Sequence, residues 1–173
     1  MKPLQFTGAQ ELVIVPSAGS SKNDFDFFIG KWLVKNRKLK TRLNAAKEWT
    51  EFEATIEDHM ILNGLGNMDH FKTFFNDSPF EALTLRLFNP VTRLWSIYWA
   101  DNNSGTLDVP QVGSFENSIG HFYSKDIFQG KEIIVAFKWD KTNPVNPGWS
   151  QAFSPDNGKT WEWNWYMDMQ RVE

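Results

Sequence analysis

The feature that most constrains this chain is a regular succession of short strand-like segments separated by turn residues, which runs from Gly30 towards the C-terminus. The segments are apolar or alternate between apolar and polar residues, and glycine, asparagine, aspartate and proline recur between them. This spacing is typical of a β-sandwich or a β-barrel. We count about ten strands joined by short links, which favours antiparallel neighbours in chain order. Closure into a barrel is the simplest way for so many strands to leave no exposed edge.

The last predicted strand shows the alternation most clearly. Apolar residues recur at every second position between residues 161 and 169, and polar residues fill the other phase. Phe, Trp and Tyr make up 16% of the chain, and such residues suit a half-buried sheet surface. We therefore predict that one face of this strand lines an interior. The residues of that face are Trp161, Trp163, Trp165, Met167 and Met169.

Length, charge and cysteine content narrow the class of protein. The chain has 173 residues and a formal net charge of −3, which predicts one domain without the basic surface that binds nucleic acid. It contains no cysteine, so disulfides and thiol chemistry are excluded and a cytoplasmic location is favoured. No apolar run is long enough for a membrane span. We predict an N-terminal arm and flexible joint over residues 1–23 and a barrel over residues 24–173.

A family resemblance begins at the segment FDFFIGKW, residues 25–32. It resembles the opening of the calycin superfamily, where a short 3₁₀ turn leads into Gly-x-Trp, matched here by Gly30 and Trp32. The chain is also similar to lipocalin-like bacterial proteins of uncharacterised function, through the segments LNGLGNMD, WSIYW and SPDNGKTWEWNW. The resemblance implies an all-β fold, a single antiparallel up-and-down β-barrel of calycin type, with Trp32 closing its base. It implies no established activity.

The leading functional hypothesis is that the barrel binds a small apolar or amphipathic molecule within aromatic walls. Arg86 stands in a strand that is otherwise apolar, so it must meet a ligand anion, a carboxylate or water. Tyr98 and Gln151 are further candidates for polar contacts, or else are hydrogen-bonded barrel structure. Trp99 and Trp163 are the candidate aromatic contacts. The sequence leaves catalytic residues and cofactors unassigned. It predicts no metal site, since the three histidines are scattered and form no HxH or HExxH pair.

Three alternatives remain open. In an enzyme of isomerase or cyclase type, an inward Glu53 or His121 would act as acid or base, although the solvated face is the more ordinary place for a Glu on a β-barrel. Barrels of the calycin superfamily that resemble nitrobindin bind haem through one histidine, and His121 would be that ligand here. In an interaction module, an exposed Trp149 and the neighbouring Pro-rich loop would contact a partner or a second copy of the chain, as in a homodimer.

Overall fold

The computed structural model describes residues 3–75 and 78–172, so residues 1, 2, 76, 77 and 173 of the predicted arm and barrel lie outside the described residues. Within those ranges the protein is built almost entirely from β-strands. The strands are β1 (Gln5–Phe6), β2 (Leu12–Val13), β3 (Gly30–Leu39), β4 (Trp49–Ile61), β5 (Gly66–Phe75), β6 (Ser78–Asn89), β7 (Leu94–Asp101), β8 (Gln111–Glu116), β9 (Ile119–Phe128), β10 (Lys131–Asp140), β11 (Gly148–Ser154) and β12 (Glu162–Val172), and 3₁₀ helices span Asp26–Phe28 and Leu62–Gly64.

Strands β3 to β12 form a closed barrel in which every neighbouring pair is antiparallel. The barrel closes where β12 pairs with β3, and in this pair Trp165 lies opposite Lys38. The strand order follows the chain, so the predicted ten-strand up-and-down barrel is confirmed. None of the helices among the described residues is long and apolar enough to cross a membrane.

The N-terminal arm folds against the outside of the barrel. Strands β1 and β2 pair as a small separate sheet. Apolar side chains of the arm pack with Trp161 against a patch on the outer face of β9 and β10. The arm contributes Leu4, Phe6, Leu12 and Ile14 to this contact, and the barrel contributes Tyr123, Ile134 and Ala136.

The base of the barrel is closed by the 3₁₀ helix and Trp32. The Trp32 indole N–H donates a 2.7 Å hydrogen bond to the Phe28 carbonyl, and its ring stacks on Phe28 at 5.4 Å. The structure therefore places Trp32 where the resemblance puts it. Gly30 has φ of +122°, and a Cβ there would lie 2.8 Å from Nη1 of Arg171. Glycine suits this entry to β3 because a side chain would be strained and crowded.

Strand β12 departs from the predicted alternation. Its register with β11 shifts between Gln151 and Ala152, and at this bulge Asn164 turns inward and is fully buried. Trp163 consequently lies on the outer face, with its ring 6.4 Å from that of Tyr166. A bulge adds one residue to a strand and so reverses the phase of the side chains that precede it. The predicted apolar face is correct from Trp165 onward and wrong at Trp163 and at Trp161, which packs against the N-terminal arm outside the barrel.

Candidate functional site

The barrel encloses a cavity of about 280 Å³, near the lower end of the roughly 300–1,000 Å³ typical of small-molecule pockets. Its walls come from most strands of the barrel. They are largely aromatic, and the remaining apolar positions are held by isoleucine and methionine. The aromatic lining residues are Phe71, Trp99, Phe137, Trp139, Trp149, Phe153 and Trp165. Such a cavity suits a flat apolar body of small size.

Lys38 lies at the end of the cavity opposite the base. It shares the inward phase of β3 with Trp32 and Val34, which are buried, and it lines the cavity. Its Nζ is 3.6 Å from the centroid of the Trp165 ring, a short cation–π distance. Within the described part of the chain, this ammonium has no hydrogen-bond or ion-pair partner. A cation in this position is available to a ligand.

Three further charged residues, Arg42, Asp101 and Asp108, line the cavity together with Lys38. Burial, and to a lesser extent the nearby Arg42, lower the pKa of Lys38 to about 8, while Asp101 opposes the shift. The Nε atom of Arg42 is buried and has no hydrogen-bond partner in the structure. Asp101 instead accepts hydrogen bonds from the Trp99 indole at 3.2 Å and from the backbone N–H groups of residues 103 and 104. Lys38 and Nε of Arg42 are therefore donors without partners among the described residues, while burial, Asp101 and Asp126 raise the pKa of Asp108 in the same lining.

Arg86 lies at the inner end of the cavity, in a buried ionic network. Its Nη2 donates to Asp69 at 2.6 Å, and its Nη1 donates to Asn67 at 2.9 Å and more weakly to Asp58 at 3.4 Å. The side chains of Arg86, Asp58 and Asp69 are all at most 3% exposed. The guanidinium also lies 4.8 Å from the centroid of the Phe28 ring. Arg86 is thus inward and engaged by protein carboxylates.

The network holds two carboxyl groups for one guanidinium, so one carboxyl group has no matching positive charge. Burial raises the pKa of Asp58 to about 7; Arg86 opposes this shift, and Asp69 adds to it. Because the unfolded value is about 3.9, the folded protein holds a proton between about pH 4 and 7 that the unfolded chain releases. Stability contributed by this proton is present below about pH 4 and is lost as pH rises to about 7.

Replacing Asp58 with asparagine tests this assignment. Asparagine keeps the oxygen that faces Arg86 but cannot lose a proton in this range. We compare the free energy of unfolding of Asp58→Asn with that of the wild type at each pH. This difference is expected to be about 2–3 kcal/mol more favourable to the variant at pH 8 than at pH 5. Urea denaturation at both pH values measures the difference, and Asp126→Asn, at an exposed position on β9, is the control. An equal effect of Asp58→Asn at both pH values would contradict the assignment.

The predicted contact residues divide between the cavity and the outer wall. Arg86, Trp99 and Gln151 line the cavity. The Gln151 amide donates to Asn164 at 2.8 Å, so part of its hydrogen-bonding capacity is used within the barrel. Tyr98 has the opposite phase to the inward Trp99, and it lies on the outer face together with Trp163.

The residues of the alternative hypotheses lie elsewhere than those hypotheses require. His121 is outside the barrel, in a groove between the arm and the wall, so it cannot reach a haem in the interior. Glu53 is exposed on the outer face of β4, which removes it as an inward acid or base. Trp149 is 8% exposed and lines the cavity, so it does not offer an exposed docking ring. Among the described residues, no cluster of three or more His, Asp or Glu could hold a metal ion.

Sequence reasoning missed the two cations at the mouth and the two aspartates beside Arg86. A signal for Lys38 was present, because the period of two that places Trp32 inside places Lys38 on the same face. Asp58 likewise shares the inward phase of Ala54 and Ile56. Arg42 follows β3 in a loop, where periodicity says nothing about the direction of a side chain.

Comparison of the chain with protein-family models finds no match. A search of the curated proteins finds no match either. The closed ten-strand antiparallel barrel is consistent with a calycin or lipocalin-like fold, and its interior is compatible with ligand binding. The chemistry of the site must be inferred from its own residues.

Proposed function

We propose that this protein binds a small amphipathic molecule inside the barrel, with an aromatic body between the walls and an anionic group at the mouth. The observation that carries the proposal is an aromatic cavity whose mouth presents Lys38 without a hydrogen-bond or ion-pair partner among the described residues. A carboxylate is the simplest acceptor that would complete this site.

The sign of the ligand charge follows from which polar groups are already engaged. Asp101 is occupied by hydrogen bonds from its own turn and from Trp99. At the inner end, Arg86 is held by Asp58 and Asp69. Lys38 and Nε of Arg42 remain available as donors, and a buried donor is stabilised by an acceptor. An anionic group beside Lys38 supplies the acceptor that this donor lacks.

We also infer that the chain is a lipocalin-like member of the calycin superfamily. The inference is supported by the closed antiparallel barrel, by Gly30 and Trp32 at the start of β3, and by the 3₁₀ helix that precedes them. Barrels of this size hold a small ligand in the interior. The aromatic walls narrow that expectation to flat, compact molecules.

A matched pair of probes tests the proposal. We expect 2-naphthoate to bind with measurable heat in isothermal titration calorimetry, and the neutral 2-naphthamide to bind more weakly. In Lys38→Met, affinity for 2-naphthoate is expected to fall about 10- to 150-fold, since a hydrogen bond to a charged group is worth about 1.5–3 kcal/mol. Affinity for the amide should change much less, because methionine preserves apolar contact in the cavity.

Lys35→Met is the control variant, since Lys35 lies on the same strand and is exposed on the outer face. It should bind both probes as the wild type does. Because the pKa of Lys38 is about 8, wild-type affinity for 2-naphthoate should decrease above about pH 8, and this decrease should be absent in Lys38→Met. Equal binding of the acid in wild type and Lys38→Met would refute the role of Lys38. No binding of either probe would refute an open ligand site for such molecules.

A further inference from the structure

We infer that Lys38 reacts covalently with aldehydes and ketones that enter the barrel, forming an imine with loss of water. This inference rests on the proposed function, because the carbonyl compound must occupy the same cavity. It extends that function from holding an anion to capturing a second chemical class, aromatic or amphipathic carbonyl compounds. The position and surroundings of one amine carry the argument.

The amine of Lys38 differs from those on the outer wall of the barrel. On the same strand, β3, Lys31 lies 3.6 Å from Glu57 and is largely exposed, and Lys35 is exposed to solvent. Lys38 instead enters an aromatic cavity, where its Nζ contacts the Trp165 ring at 3.6 Å. An amine without an ion-pair partner in apolar surroundings is more readily deprotonated, and a neutral amine is a nucleophile.

The charge balance around Lys38 supports the same reactivity. Its pKa is lowered to about 8, by burial first and by Arg42 second. At pH 7 about one molecule in ten therefore carries the neutral amine, compared with fewer than about one in a thousand for an ordinary lysine. Lys38 can hold an anion in its charged form and attack a carbonyl carbon in its neutral form.

The reaction needs no oxidant, reductant or metal. The nitrogen lone pair of Lys38 forms a bond to the carbonyl carbon, and the π electrons of the carbonyl move to its oxygen. A proton passes from nitrogen to oxygen to give a carbinolamine. Its hydroxyl takes up a proton from water and leaves as water while the nitrogen lone pair forms the C=N bond, and the remaining N–H proton is returned to water. The protons are exchanged with water at the mouth of the cavity.

The walls select the carbonyl compounds that can react. A carbonyl carbon reaches Nζ when the rest of the molecule lies in the cavity against the aromatic walls. Trp99 and Trp165 meet edge to face, with ring centroids 6.1 Å apart, and together form one aromatic wall of the cavity. A flat aromatic aldehyde fits this description, whereas a small polar aldehyde would gain little from the walls.

Reductive trapping tests the inference. The full-length protein is incubated with 2-naphthaldehyde and sodium cyanoborohydride, which reduces the imine to a stable secondary amine, and the product is analysed by intact mass and peptide mapping. We expect one naphthylmethyl group at Lys38, added at least about tenfold faster than at Lys35. Excess 2-naphthoate should suppress the labelling of Lys38 and leave that of Lys35 unchanged.

Two variants sharpen the result. Lys38→Arg keeps the positive charge but removes the nucleophilic amine, so it should bind 2-naphthoate and lose the fast labelling. Lys35→Arg should lose neither property. If 2-naphthoate binds the wild type while Lys38 is labelled no faster than Lys35, the covalent inference is overturned and the proposed function stands. If 2-naphthoate fails to bind and Lys38 is not labelled, both are overturned.

Discussion

Arg86→Ala is expected to lower the free energy of unfolding by about 3–5 kcal/mol, the loss usual when one partner of a buried ion pair is removed. Arg86 is 3% exposed and donates to three side chains in the barrel. Removing it leaves Asp69 buried without its 2.6 Å partner and leaves space beside Phe28. Urea denaturation at pH 7 measures the loss.

Two further variants separate the ionic network from general effects of removing arginine. Arg37→Ala removes an exposed arginine that stacks on Trp49 outside the barrel, with 4.2 Å between the guanidinium carbon and the ring centroid, and should cost no more than about 1 kcal/mol. Combining Arg86→Met with Asp69→Leu should recover part of the loss, because no unpaired charge then remains at that position. A loss below about 1 kcal/mol for Arg86→Ala would contradict the network.

Trp32→Ala is the second change with a large expected effect. The indole is 1% exposed, stacks on Phe28 and is covered by Arg171, whose guanidinium carbon lies 4.2 Å from the ring centroid. We expect a loss of about 3–5 kcal/mol in the free energy of unfolding, since truncation of a buried tryptophan leaves a cavity that its neighbours fill only in part. Thermal and urea denaturation measure it.

The matched comparison for this change is its neighbour on the outer face. Leu33 is 53% exposed, and Leu33→Ala should change stability by about 1 kcal/mol or less. The free energy of unfolding of Trp32→Phe should lie between those of the wild type and Trp32→Ala. Phenylalanine keeps a ring on Phe28 but loses the 2.7 Å hydrogen bond to the Phe28 carbonyl. Equal stabilities of Trp32→Ala and Leu33→Ala would show that Trp32 does not hold the base together.

The barrel could be predicted from the sequence because its signals are local. Alternation along each strand identifies the inward face, and turn residues mark the ends, so ten strands and their antiparallel order follow from the pattern. Glu53 illustrates this signal. It is next to the apolar Ala54 in β4, so alternation directs its side chain to the outer face, where the structure places it. Gly30 and Trp32 likewise mark the start of β3. Gly30 permits the positive φ at the entry to the strand, and Trp32 closes the base of the barrel.

The site was harder to predict because it depends on contacts between distant strands. The bulge that turns Trp163 outward arises from the pairing of β12 with β11, and nothing in the alternation of the strand itself reveals it. The partners of Arg86 come from β4 and β5, and the sequence shows that it needs an anion without showing which. Trp149 follows a Pro-rich loop that does not indicate the direction of its side chain, and pairing within the barrel turns it inward, in the same phase as Gln151 and Phe153 of β11.

The central claim is that the aromatic cavity is a ligand site oriented by Lys38, and a crystal structure of the protein grown with saturating 2-naphthoate tests it most directly. We predict the naphthalene ring inside the barrel, packed against the Trp99 and Trp165 side chains, with a carboxylate oxygen within hydrogen-bond distance of Lys38 Nζ. A 2-naphthoate bound in the groove between the N-terminal arm and the barrel, or an interior filled by side chains, would contradict the claim.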